Sequence, residues 1–160
     1  MIFLLKQTLI LISLCLASYN LKGVEPDSLA AYALRDSIRH ELQKANTNPK
    51  SLRTVLVAIS KNRRSLKKLY KPLMEEYINH AKSVNFKPGL MEALDRLGHR
   101  ERQEGNYSKA IEHHLQSLAI ATELADSNQL AYNYSNLGQA YRRQDYNTLA
   151  LPYFHKALEI

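Results

Sequence analysis

Cysteine, glycine, proline and tryptophan are all scarce in this chain, whose 160 residues hold one cysteine, five glycines, five prolines and no tryptophan. The cysteine, Cys15, falls in an apolar N-terminal stretch, so the rest of the chain has no thiol. That excludes disulfide-stapled scaffolds, thiol chemistry and cysteine-based metal sites. Few glycines and prolines, with ten tyrosines and abundant Leu, Ala, Lys and Glu, favour helices over a β-sandwich. Acidic residues are missing from one long stretch, between Ala45 and Met74, where eight Lys/Arg stand with no Asp or Glu. From Glu75 onward nine bases face eleven acids, so the formal charge of +7 is a local patch rather than a global property. Arg64, Lys68 and Lys71 share one helical face, opposite Leu66, Leu69, Leu73 and Tyr77. Such a face is either simply solvated or meets an anionic partner or a membrane surface.

The first residues, "MIFLLKQTLILISLCLASYN", place Lys6 ahead of an apolar run from Thr8 to Ala17. The run suits the core of an export signal and falls well short of the ~20 residues that span a bilayer. Cys15 and Ala17 supply the small residues a cleavage site needs, so the mature chain is expected to begin at Ser18. Localisation is accordingly expected to be exported, on the periplasmic or extracytoplasmic side of a bacterial membrane. An exported chain meets little nucleic acid, and no nucleic-acid partner is expected for the basic patch.

An internal repeat organises the rest. Leu97-Gly98 matches Leu137-Gly138, Ala110 matches Ala150, His114 falls opposite Phe154, Ser117 opposite Ala157 and Leu118 opposite Leu158, at a constant offset of 40 residues. A fainter copy lies another period back, pairing Ile78, Ala81, Val84 and Leu90 with Leu118, Ala121, Leu124 and Leu130. A fixed period in the range of about 20–50 residues marks a solenoid or array. Gly98 and Gly138 sit inside helical patterns, where glycine costs about 1 kcal/mol relative to alanine, so close approach of a paired helix is needed to explain them. "GN" at Gly105-Asn106, "NFKPG" around Pro88-Gly89 and "ADSNQ" around Asp126 break the helices. The chain divides into residues 1–17 (signal), 18–48 (leader helix and linker), 49–86 (degenerate hairpin), 87–126 (repeat) and 127–160 (repeat), seven helices in all after the signal.

These residues resemble the tetratricopeptide repeat, a helix–turn–helix unit with Leu-Gly and a following aromatic in its first helix and Ala, aromatic, Ala in its second. The last copy fits throughout, with Leu137, Gly138, Tyr141, Ala150, Phe154 and Ala157. The copy before it departs at Glu101, His114 and Ser117. The 40-residue period is similar to that of the long-period branch, found in exported repeat regions of bacterial sensor and signalling proteins and in animal adaptors. The resemblance implies an all-α, right-handed superhelical solenoid of antiparallel helix hairpins that binds protein or peptide segments without catalysis.

In that family the first helix of each hairpin lines a concave groove. The corresponding positions here are Asp95, His99, Arg102, Tyr132, Asn136, Gln139, Arg142 and Arg143, with Asn136 placed to hold a peptide backbone and the arginines to pair with carboxylates. The lysine–asparagine clamp of chaperone-binding relatives is missing, since Asp95 and His99 stand in its place. The last helix, with Leu149, Tyr153, Phe154, Ala157 and Leu158, has no following helix to cover it. The last hairpin is therefore expected to be incomplete, the chain being part of a longer protein or a shortened product, such as a truncated sensor (histidine kinase or transcription regulator). The alternative is a three-repeat domain that caps itself or one that pairs end to end with another copy.

No P-loop, G-x-G-x-x-G, H-E-x-x-H or nucleophile elbow occurs in the sequence. His113-His114 makes a poor pair of metal ligands, because adjacent helical residues point about 100° apart. Asp95 and His99, at i and i+4, suit a helical ion pair. No enzyme activity, cofactor or metal is expected.

Overall fold

The computed structural model describes residues 26–160. The export signal and its cleavage point lie outside the described residues. The chain is all-α, with seven long helices among the described residues: α1 (Pro26–Ala45), α2 (Pro49–Lys61), α3 (Tyr70–Ser83), α4 (Lys87–Gln103), α5 (Tyr107–Glu123), α6 (Ser127–Arg142) and α7 (Asn147–Leu158). Each of α3 to α7 packs on its neighbours in chain order, and α1 lies across α2 and α3.

The helix starts follow local chemistry. The Asn48 side chain accepts from the backbone N–H of Lys50 and Ser51, with Pro49 in the first turn. Asp126 accepts from the N–H of Gln129 and starts α6. The break expected at Pro88-Gly89 is displaced. Both residues lie in the first turn of α4, and a methyl at Gly89 would collide with the Phe86 ring and the Tyr77 hydroxyl. The chain turns instead at Asn85.

That turn recurs at a spacing the sequence does not announce. Asn85, Gly105, Ala125 and Asp145, 20 residues apart, all have positive φ, at 54°, 83°, 52° and 61°. In each case the following N–H (Phe86, Asn106, Asp126, Tyr146) donates to the carbonyl five residues back (Ala81, Glu101, Ala121, Tyr141) at 2.8–3.1 Å. This is the Schellman closure of a helix end, made four times in register. Every 40-residue repeat is thus two 20-residue strokes of helix and turn.

The basic stretch is not one continuous helix. After α2 come one helical turn (Arg63–Leu66) and a 3-10 turn (Lys67–Leu69), joined at Lys67 with φ 47°. Its two faces still segregate as the pattern requires: Leu66, Leu73 and Tyr77 are fully buried, while Arg64 and Lys68 are exposed.

Most of the large apolar core lies in α1 to α4, where Ile38, Leu42, Leu52, Leu56, Ile59, Leu73, Met74 and Leu97 are buried together. Toward the C-terminus the buried apolar positions are smaller: Ala110, Ala121, Ala140 and Ala150 beside Leu137. Small side chains bring helices close, and the two glycines show how close. A Cβ at Gly138 would stand 2.7–2.9 Å from the Phe154 ring, and one at Gly98 would stand 2.9 Å from the His114 ring. The expected reason for glycine at both positions is therefore met.

Candidate functional site

The three departures from the repeat pattern become one buried polar system. His114 is fully buried with its imidazole over Gly98, filling the space of the Phe154 ring one period later. Ser117 is fully buried and donates to the carbonyl of Met91 at 3.0 Å, while accepting from the side-chain amide of Asn133 at 3.0 Å. The chain Asn133–Ser117–Met91 ties α6, α5 and α4 together. Glu101, 2% exposed, pairs with Lys71 of α3 at 2.7 Å and accepts from Asn106 at 2.7 Å. Burial of a polar group is costly unless it finds a partner. The partners of Ser117 and Glu101 lie on other helices, so those contacts also fix helix register. Both ring nitrogens of His114 and the carbonyl oxygen of Asn133, by contrast, have no hydrogen-bond partner among the described residues.

The outer face of α4 and α6 carries the positions expected to line a groove. Asn136 of α6 donates to Asp95 of α4 at 3.0 Å across the helix pair. The same Asp95 oxygen stands 3.2 Å from Nδ1 of His114. His99 turns the other way, and its Nδ1 accepts from Arg102 at 3.0 Å. Arginine only donates, so His99 Nδ1 carries no proton and the ring is neutral; its Nε2 stands 3.1 Å from the side-chain nitrogen of Gln103. Burial and the Arg102 charge hold His99 below its ordinary pKa, in agreement with a neutral ring. The ion pair expected between Asp95 and His99 is not formed, because each has a better-placed partner.

Arg102 has a buried Nε without a hydrogen-bond partner among the described residues. Burial, and then the neighbouring Arg143, lower its pKa. The Arg143 charge, from the next repeat, is thus felt at Arg102. Three further positions make local contacts or face solvent. Gln139 donates to Ser135 of its own helix at 3.2 Å, Arg142 is exposed, and Tyr132 is 66% exposed. His113 and His114 do diverge, one half-buried and one fully buried. Among the described residues no group of three or more His, Cys, Asp or Glu is placed to hold a metal ion.

An all-α array of consecutive, closely packed helix hairpins is a helical repeat architecture. Residues 89–160 match the family model of the tetratricopeptide repeat, so this part of the chain is built of tetratricopeptide repeats. Repeats of this kind are protein-interaction scaffolds. No curated protein matches the chain.

Proposed function

We propose that this protein binds an extended, acidic peptide segment of a protein partner across the outer face of α4 and α6, without catalysis. The observation that carries the reading is the Asn136–Asp95 bond that links α6 to α4, with Arg102 on α4 feeling the charge of Arg143 from the next repeat. The guanidiniums offer forked donors for carboxylates. The amide NH2 of Asn136 is engaged by Asp95, which leaves its carbonyl oxygen to accept from a peptide N–H. The apolar run Thr8–Ala17 supports action on the extracytoplasmic side of a bacterial membrane. Similarity to exported sensor regions supports a signalling version, in which groove occupancy is relayed to an attached effector.

A photo-crosslinking residue at Gln139, on the proposed groove, tests this in the full chain. Adducts from Gln139 that are lost in Arg102→Gln/Arg143→Gln, with none from Lys109 on α5, are the expected result. Equal adducts at both positions, or adducts indifferent to the two arginines, would overturn the reading.

A second contact surface accompanies the groove in this proposal. Leu149, Leu151 and Leu158 of α7 are 52%, 59% and 84% exposed, a run of apolar side chains suited to end-to-end pairing of two copies.

A further inference from the structure

The basic stretch, which the groove does not use, folds into a hollow. Leu66 and Tyr70 are buried at 0% and 5% exposure and pin the one-turn helix and the 3-10 turn to the core. Around those anchors Arg63, Arg64, Lys67 and Lys68 are exposed. Lys71 of α3 and Arg100 of α4 close the far side, and the cavity so formed measures about 430 Å³. That is within the size range of small-molecule sites, about 300–1,000 Å³. Six cations line it against one carboxylate, Glu104, which is already shared by Lys71 at 2.9 Å and Arg100 at 2.6 Å. Arg63, Arg64 and Lys68 have no ion pair among the described residues. Lys67 holds φ 47° and ψ −116°, a conformation that costs energy for a residue with a side chain.

We propose that this hollow is a binding site for a small, soluble anion bearing two or more phosphate groups. Phosphate is favoured by the mixture of donors: guanidinium forks match pairs of phosphate oxygens, and lysines act as point charges on the rest. Multiple phosphates are favoured by Arg63, Arg64 and Lys68, three cations of the hollow without an ion pair among the described residues, more than one monoanion neutralises. The concave shape, closed by α4 on one side, selects a compact ligand over a flat charged surface. The site is separate from the α4–α6 groove and stands without it.

Calorimetric titration of the full chain with sodium tripolyphosphate tests the assignment. Saturable one-to-one binding is expected, weakened at least about tenfold by Arg64→Gln/Lys68→Gln, since each lost charged hydrogen bond is worth about that much or more. Both side chains are exposed, so the fold is not at risk. Lys50→Gln/Arg53→Gln, equal in charge change but outside the hollow, is expected to leave binding intact, as is Arg102→Gln/Arg143→Gln. Glu104→Gln, which removes the competing carboxylate, is expected to tighten binding. Equal losses in all the charge-reduced variants would show that net charge alone attracts the anion, and would overturn the site. Retention on phosphatidylglycerol vesicles without saturable tripolyphosphate binding would overturn it in favour of a membrane surface.

Discussion

Gly138 and Gln139 are neighbours with opposite duties. A side chain at Gly138 has nowhere to go, since its first carbon would already stand 2.7 Å from the Phe154 ring. Gln139 is only partly buried and bonds to Ser135 one turn away. Gly138→Leu is expected to destabilise by about 1–3 kcal/mol through overpacking, and Gln139→Leu to stay within about 0.5 kcal/mol. Denaturant titrations of the two variants read the difference, and equal effects would contradict the repeat register. Glu101 makes a second residue-scale case. Burial opposes its ionisation, but the hydrogen bonds from Lys71 and Asn106 prevail and hold its carboxyl below the ordinary value of 4.5. A depressed carboxyl contributes stability above its unfolded value and loses it as pH falls through the folded one. Glu101→Gln is therefore expected to cost about 1–3 kcal/mol at neutral pH and progressively less as pH falls from 4.5, where the unfolded carboxyl takes up its proton, through the lower folded value, where the native one does. Urea titrations at neutral and acid pH measure it, and a pH-independent difference would rule the ion pair out as the cause. The repeat glycines were readable because close approach leaves a local mark, a glycine inside an apolar helical pattern. The role of Glu101 was not, because Lys71 is 30 positions away and no pattern within either helix joins them.

At the scale of elements, the turns carry more regularity than the helices. All four turns spaced 20 residues apart use the same left-handed closure, but only Gly105 is suited to it by chemistry. Asn85 and Asp145 tolerate that conformation through short polar side chains. Ala125, with φ 52°, gains nothing from its methyl group. Ala125→Gly is expected to raise stability by about 0.5–1 kcal/mol, relief of backbone strain outweighing the added freedom of the unfolded chain. A thermal melt of the variant checks this, and a lower midpoint would mean that the turn is held by contacts of the methyl group. This also explains why the turns were legible in part. "GN" at Gly105-Asn106 announces itself, whereas "LAD" at Leu124–Asp126 shows only its helix cap. The break at Lys67 escaped for a similar reason. "RRSLKKLY" contains neither glycine nor proline, and its anchors Leu66 and Tyr70 keep helical spacing through the interruption.

Across the whole molecule, burial declines along the chain, from large core side chains in α1–α4 to a last hairpin closed by aromatic contacts. Tyr153 stacks on Tyr141 with ring centroids 5.4 Å apart and rings inclined by 8°, and Phe154 covers Gly138. Those two aromatics, expected from the pattern to lie uncovered, face α6 instead. The pattern marks which residues are apolar but not which side of a terminal helix turns inward. What stays exposed is Leu149, Leu151, Leu158 and Ile160, from 52% to 84%. Among the described residues α7 packs chiefly on α6, whereas α4 and α5 are flanked on both sides. A helix with one neighbour opens at lower free energy than one with two. Amide hydrogen exchange in dilute protein is therefore expected to be fast over Asn147–Leu158 and slow over Lys87–Glu123. If the exposed leucines pair two copies, raising the concentration will slow exchange in α7 first, as a dimer appears in sedimentation velocity. Leu151→Lys/Leu158→Lys, both at solvent-facing positions, is expected to abolish the concentration dependence without unfolding α6. Exchange through α7 that is uniformly slow in the dilute monomer would mean that its single interface with α6, built on the Tyr141–Tyr153 stack and the Phe154 contact, is sufficient. End-to-end pairing would then have no driving force left to draw on.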